Sequence, residues 1–394
     1  MRFKYLFIIL LVLIFSRFFS YIMWNPSIGN PLVKVLLIGL LPYCFILRNR
    51  IPHNSITKFV LMFMFLPFVS ILGSTLYHGQ SISESLRVTL FSLTYLFFFV
   101  LYILKVDFHI ILKIALFCGI IWTCMEVVQQ FTYPHIWFAT RYETFDHNIE
   151  IRNGIYRFNI EGREFGLLLL FYSFQQYLEK SKKIYLLGIV VGLIGIYMLV
   201  TRQIIVAAIA SLVYGMFAMK KLKISSFIGI IVIAIIVYIN ADKLFGAFVE
   251  MTEGVDNSYI RFIAYKFYGL EYNNGSLFTF LVGNGLPGNS IYGNESYKLA
   301  DLGLYQADIG IVGMYSWYGI IYVITVIAFF VYIIKIRCYI DFYLQMYVVF
   351  MLLTSIMLHH FGYNSHHIMT LCVVLYLISE SINHNKCQEK KIIF

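Results

Sequence analysis

Long apolar runs, each about a helix length and separated by short polar punctuation, dominate this 394-residue sequence. None alternates apolar and polar positions over the ten or so residues of a barrel strand, so the runs read as helices that cross a bilayer. Lipid offers the backbone no water, and a spanning helix satisfies its own N–H and C=O groups. The pattern predicts an all-α, polytopic membrane helix bundle, one integral domain over 1–394 with about twelve transmembrane spans. These are 4–23, 32–48, 58–77, 86–104, 110–131, 163–178, 184–200, 203–219, 224–240, 309–334, 342–358 and 366–382. The sixth and eighth, at roughly 16 residues, are short enough to tilt little or to re-enter. The first run begins like a signal peptide, but it is too long and lacks a small-residue cleavage site, so it is expected to stay as a span.

Composition agrees. The chain is 60% hydrophobic and 13% charged, whereas a soluble domain carries about 25% charged residues. The segments "RNR", "KVDFHIILK", "EKSKK", "KKLK", "KIR" and "NKCQEKK" fall on every second connection, with "RFK" at the start. Positive loops stay inside, so both termini are expected in the cytoplasm of a cell whose inner membrane holds the protein. The net charge of +10 then follows from topology and calls for no nucleic acid. Six cysteines lie in spans or lysine-rich loops, with neither a disulfide framework nor a CxxC pair. The opposite face receives two long loops, 132–162 and 241–308, rich in aromatics, Asn and Gly. Loops of that length are usually functional or folded in themselves.

The basic residues divide by type. Lysine dominates the segments read as cytoplasmic, with 14 Lys against 4 Arg, while outer loops and span interiors hold 8 Arg and 4 Lys. Topology needs only positive charge, but arginine adds a rigid fork that grips phosphate or carboxylate oxygens in pairs. The skew points to an anionic ligand at the outer surface. Arg202 in "YMLVTRQIIVAA" stands at the outer turn between two apolar runs, where it either snorkels to the interface or meets that anion. "RFNIEGREFGLLLL" brings Arg157, Glu161, Arg163 and Glu164 to the mouth of the sixth span; the bland alternative is a solvated helix entrance. Arg17 and Arg87 read as interface anchors. Glu126 is a buried-acid candidate for one of the arginines.

The "LVGNGLPGNS" turn and the glycine-spaced "DIGIVGMYSWYGI" span come next, after "NSYIRF" in the second long loop. No strand precedes Gly283-Asn-Gly285, so it is not a dinucleotide fingerprint. In this order the marks resemble the superfamily of O-antigen polymerases (Wzy) and O-antigen ligases, over roughly residues 125–335. The resemblance implies a membrane glycosyltransferase of polysaccharide biosynthesis working at the periplasmic face. It would move a growing glycan from undecaprenyl pyrophosphate onto a second lipid-linked repeat unit, with no cofactor. Its partners would be lipid-linked oligosaccharide and polymer, the bilayer, and a membrane protein that regulates chain length.

On that reading Arg157, Arg163, Arg202 and Arg261 bind pyrophosphate, while Asp308 and Glu161 are the catalytic candidates, with Asp301 and Glu164 as competing bases. The ligase branch has a histidine where this chain has Asp308, counting back from Gly319, which favours polymerase. A helix cap is the bland role for Asp308. A ligase and a transporter or flippase of lipid-linked or anionic solutes are the alternatives, though no internal repeat is visible. "LHHFGYNSHH", with His359, His360, His366 and His367, fits a substrate-facing group or interfacial filler. Zinc takes neutral imidazoles, but adjacent histidines converge poorly and no acid stands beside them, so no metal site is expected.

Overall fold

The computed structural model describes residues 2–18, 21, 23, 26–138, 151–152, 155–156, 158, 160–199, 201–219, 257–273 and 276–392. It is a helical membrane bundle with one short hairpin, β1 (Ile151–Arg152) and β2 (Ile155–Tyr156), paired antiparallel. Helices α1 (Arg2–Phe15), α2 (Pro26–Ile46), α3 (Ser55–Val69), α4 (Ile71–His78), α5 (Ile82–Thr89), α6 (Leu96–Ile103) and α7 (Phe108–Thr132) precede the hairpin. After it come α8 (Arg163–Lys180), α9 (Lys183–Met198), α10 (Arg202–Ala218), α11 (Asn257–Lys266), α12 (Leu277–Val282), α13 (Ile291–Asp301), α14 (Gly310–Lys335), α15 (Phe342–Thr354) and α16 (Ser365–Ile392).

Helices occupy eleven of the twelve expected spans, and the ninth, 224–240, lies outside the described residues. The count needs correction. Among the described residues six helical stretches, not twelve, are long and apolar enough to cross a membrane: Ile28–Ile46, Ser55–His78, Ile82–Ile103, Phe108–Thr132, Gly310–Lys335 and Ser365–Asn385. Phe3–Phe15, Lys183–Met198, Arg202–Ala218 and Phe342–Thr354 are apolar but shorter. In α8, eighteen residues long, Arg163, Glu164, Gln175, Gln176, Glu179 and Lys180 dilute the hydropathy.

Two ends of the bundle are distinct. At one, Lys4 Nζ donates to the carbonyls of Leu104 (3.4 Å) and Lys105 (3.1 Å). Asn54 Nδ2 reaches Ser379 Oγ at 2.9 Å, and the Asp341 N–H reaches Ser381 Oγ at 3.0 Å, at the same end. The opposite end gathers residues 15–18, Tyr21, 129–138, Tyr156, Phe158, 160–164, 277–311 and 355–367. The Trp122 ring packs on Gly162, and α7 continues to Thr132, about 15 Å higher at 1.5 Å per residue.

The Gly283-Asn-Gly285 turn is a wedge between two broken helices. Pro67 lies near the α3–α4 break at Ser70, and α14 loses helical geometry at Gly319, where φ is 77° and ψ 176°. That break frees the Ser316 and Trp317 carbonyls, which accept the N–H groups of Asn284 (2.9 Å) and Gly285 (2.8 Å). A side chain at Gly283 (φ 84°) would meet the Trp317 carbonyl at 2.3 Å, so backbone-to-backbone approach requires glycine here. Asn284 is buried and bonds His78, Asn273 and Ser316.

Candidate functional site

The site forms where Tyr156, Ile160 and the start of α8 are laid against α7. Gln130 exchanges two hydrogen bonds with Tyr156, donating from Nε2 at 2.6 Å and accepting the Tyr156 N–H at 3.1 Å. One and two turns lower, Trp122 Nε1 donates to the Ile160 carbonyl at 3.1 Å. Gly162 takes φ 123°, and Gly166 lies against the indole, where a side chain would approach to 2.3 Å. The glycines of "EGREFG" therefore let α8 start against Trp122, so that Glu161 and Glu164 face the first turn of α16.

Each acid meets one of two adjacent histidines. Glu161 Oε2 lies 2.6 Å from His366 Nε2, and Glu164 Oε1 lies 2.8 Å from His367 Nδ1. Arg163 Nε holds the same Glu164 oxygen at 2.9 Å. Burial would push the Glu161 carboxyl up, but His366, His367 and Arg17 outweigh it and hold Glu161 at about 2. Glu161 is thus ionised at neutral pH. Its carbonyl accepts from the buried Tyr21 hydroxyl at 3.4 Å.

The two histidines are differently placed. His366 is enclosed, with Nδ1 buried and unbonded. His367 is 19% exposed and its Nδ1–H donates to Glu164, which leaves Nε2 as the lone-pair nitrogen of the neutral ring. A carboxylate fixing one nitrogen so that the other accepts a proton is the arrangement of general-base histidines. Arg163, 27% exposed, sets a guanidinium beside it.

The loop between α15 and α16, residues 355–364, ties this mouth to the rest of the outer end. Tyr265 of α11 donates to the Ile356 carbonyl. His359 Nε2 donates to the Gln306 carbonyl at 3.1 Å. Thr354 gives its hydroxyl proton to Phe350 O, so His360 Nε2 donates to Thr354 Oγ1, at 2.5 Å. Burial lowers His359 from the ordinary 6.5 to about 4, and burial with nearby Arg163 lowers His360 to about 3. A histidine depressed in the fold contributes stability that is complete above its unfolded value and is lost as pH falls toward the folded one. The melting temperature of the detergent-solubilised protein should be level above about pH 7 and fall between 6.5 and 4. His360→Gln should lower it at pH 8 but flatten the slope; an unchanged slope would remove His360 from the cause.

The sequence-predicted residues fall into two groups. Arg163 and Glu161 share the mouth just described. Arg261 and Asp308 flank Tyr265 and influence its phenol electrostatically, at the other side of the 355–364 loop. Both are exposed. Asp308 ends a 3₁₀ turn (Gln306–Asp308), and the N-cap position of α14 is Ile309, without a side-chain cap, so the cap role is not realised. Arg202 opens α10 at the same outer end, half-buried, with no hydrogen bond or ion pair to a described residue. Arg157 lies outside the described residues.

Two other expectations change. Arg17, read as an interface anchor, is half-buried and also held from within the bundle. It takes left-handed backbone (φ 60°), donates to Asn364 Oδ1 at 3.3 Å and acts on Glu161. Glu126 has no arginine partner among the described residues: both carboxylate oxygens are buried and unbonded. It lies one turn above Trp122, with Tyr21 between it and Glu161. Arg87, by contrast, does pair at the surface, with Glu84 at 2.6 Å. His367 stands 203 residues from Glu164, His366 is as remote from Glu161, and only the density of histidines in "LHHFGYNSHH" marked them. No group of three or more metal-ligating side chains is found among the described residues. No protein-family model matches the chain, and no curated protein is similar to it.

Proposed function

We propose that this protein is a membrane glycosyltransferase of the polysaccharide-polymerase type, moving a growing glycan from a lipid pyrophosphate to a sugar hydroxyl of a second lipid-linked unit. The observation that carries the reading is the Arg163–Glu164–His367 array, a carboxylate-oriented, partly exposed histidine beside a guanidinium. In the reaction His367 Nε2 takes the acceptor hydroxyl proton as the oxygen bonds the donor's anomeric carbon. The bond from that carbon to the pyrophosphate breaks, and the lipid pyrophosphate leaves with the electron pair. Glu164 holds the imidazole and stabilises its charged form. Arg163, with Arg202 at the same end, meets the charge that develops on the leaving group. Glu161 fixes His366 behind them, and Asp308 is the rival proton acceptor.

The outer end is read as periplasmic, because the lysine-rich connections gather at the other. The test is a deletion strain. Single-repeat products with lipid-linked units accumulating outside support a polymerase. Full-length lipid-linked polymer points to the ligase reading, and units trapped inside point to a flippase. A cytoplasmic-only reporter fused at residue 270 would be silent; activity there would overturn the orientation. A carrier of lipid-linked or anionic solutes is the second reading. Glu126 favours it, since an unpaired carboxyl inside a membrane bundle is a usual part of a proton or ion pathway.

A further inference from the structure

At the opposite end of the bundle a cavity of about 660 Å³ opens between the last turn of α10, the turn joining α14 to α15, and α16. The volume is in the range of ligand-sized clefts. Gln345 makes the floor rigid: Nε2 donates to the carbonyls of Arg337 (2.9 Å) and Ile340 (2.7 Å), and Oε1 accepts from Tyr214 at 2.9 Å. Asn385 closes one side by donating to the Tyr339 carbonyl at 2.9 Å. Two opposite charges line the cavity. Arg337 is exposed and makes no ion pair with a described residue, while the half-buried Asp341 carboxylate has the neutral Asn385 and Ser381 beside it and feels His384 electrostatically. The apolar wall includes Phe342 and Phe217, the latter 61% exposed.

We propose that this cavity binds a phospholipid headgroup carrying both a phosphate and a primary ammonium, that is, phosphatidylethanolamine. Arg337 takes the phosphate, Asp341 takes the ammonium, and the lipid's upper acyl carbons lie along Phe217 and Phe342. The depth suits it, because the cavity sits where helices end and headgroups begin. The charges exclude the nearest alternatives. An anionic glycerol headgroup would leave Asp341 unpaired and bring a second negative charge toward it and the neighbouring Glu179. A choline headgroup has no N–H to give. Burial, with Glu179 adding to it, lifts the Asp341 carboxyl above the ordinary range against the pull of Asn385, Ser381 and His384. An ammonium partner relieves that cost.

The test uses the full-length protein in nanodiscs of equimolar phosphatidylethanolamine, phosphatidylglycerol and phosphatidylcholine, with retained lipid counted by native mass spectrometry. Phosphatidylethanolamine should be enriched about tenfold over phosphatidylcholine, a difference of about 1.4 kcal/mol. Asp341→Asn should abolish the preference, and Arg337→Gln should reduce retention of all three. The wild-type protein alone gives a second readout, because N-methylating the headgroup amine stepwise should lower retention stepwise. Equal retention across the methylated series, a preference for phosphatidylglycerol, or an Asp341→Asn variant that keeps the preference would each overturn the assignment.

Discussion

His367→Asn is expected to reduce polymer formation by about 10²- to 10⁴-fold, the usual contribution of a positioned general base, while the protein accumulates normally. Asparagine keeps a donor near Nδ1, so the contact with Glu164 Oε1, now 2.8 Å, largely survives and the proton-accepting nitrogen does not. Glu164→Gln should cost nearly as much by a different route, because an amide does not stabilise the imidazolium and leaves Arg163 without its 2.9 Å partner. Arg163→Lys keeps the charge but loses the paired donors and should also be impaired. Polymer yield measured in the deletion strain, with membrane abundance as control, reads all three. Asp308→Asn completes the set. Asp308 is exposed and has no role as a cap, so its replacement should leave the fold intact. Full-length polymer from His367→Asn together with none from Asp308→Asn would transfer the proton acceptor to Asp308.

The second large effect is expected at Glu126. Both of its oxygens are buried without a partner among the described residues, where every ionised carboxylate costs several kcal/mol unless something is bound to it. Glu126→Leu should therefore leave stability unchanged or raise it by about 1–3 kcal/mol, since an apolar group replaces a buried unsatisfied one. Activity should nevertheless fall at least about tenfold, on the view that an acid held this way waits for a donor from the ligand or for a cation. Thermal unfolding in detergent and polymer yield separate the two. An active, more stable Glu126→Leu variant would reduce Glu126 to a packing feature. Loss of transport of lipid-linked units, with transfer intact in isolated membranes, would instead favour the carrier reading.

The apolar runs alone located the helices, because a chain in lipid has few ways to satisfy its backbone, and the edges at 108–132 and 310–335 fall within a few residues of those expected. What apolarity left open was length relative to the bilayer. Polar residues in α8 and helix ends at Met198 and Thr354 reduce the long apolar crossings among the described residues to six. The mouth of the sixth span was legible because "EGREFG" puts acids, arginine and glycines next to each other in sequence. Its histidines were visible as a cluster, but not as partners of Glu161 and Glu164. Sequence spacing says which side chains share one helix face, whereas a contact across 203 residues depends on how α8, α7 and α16 pack. For the same reason Arg17 read as an anchor and Glu126 as an arginine's partner: only the folded bundle decides which buried charges meet and which are left alone.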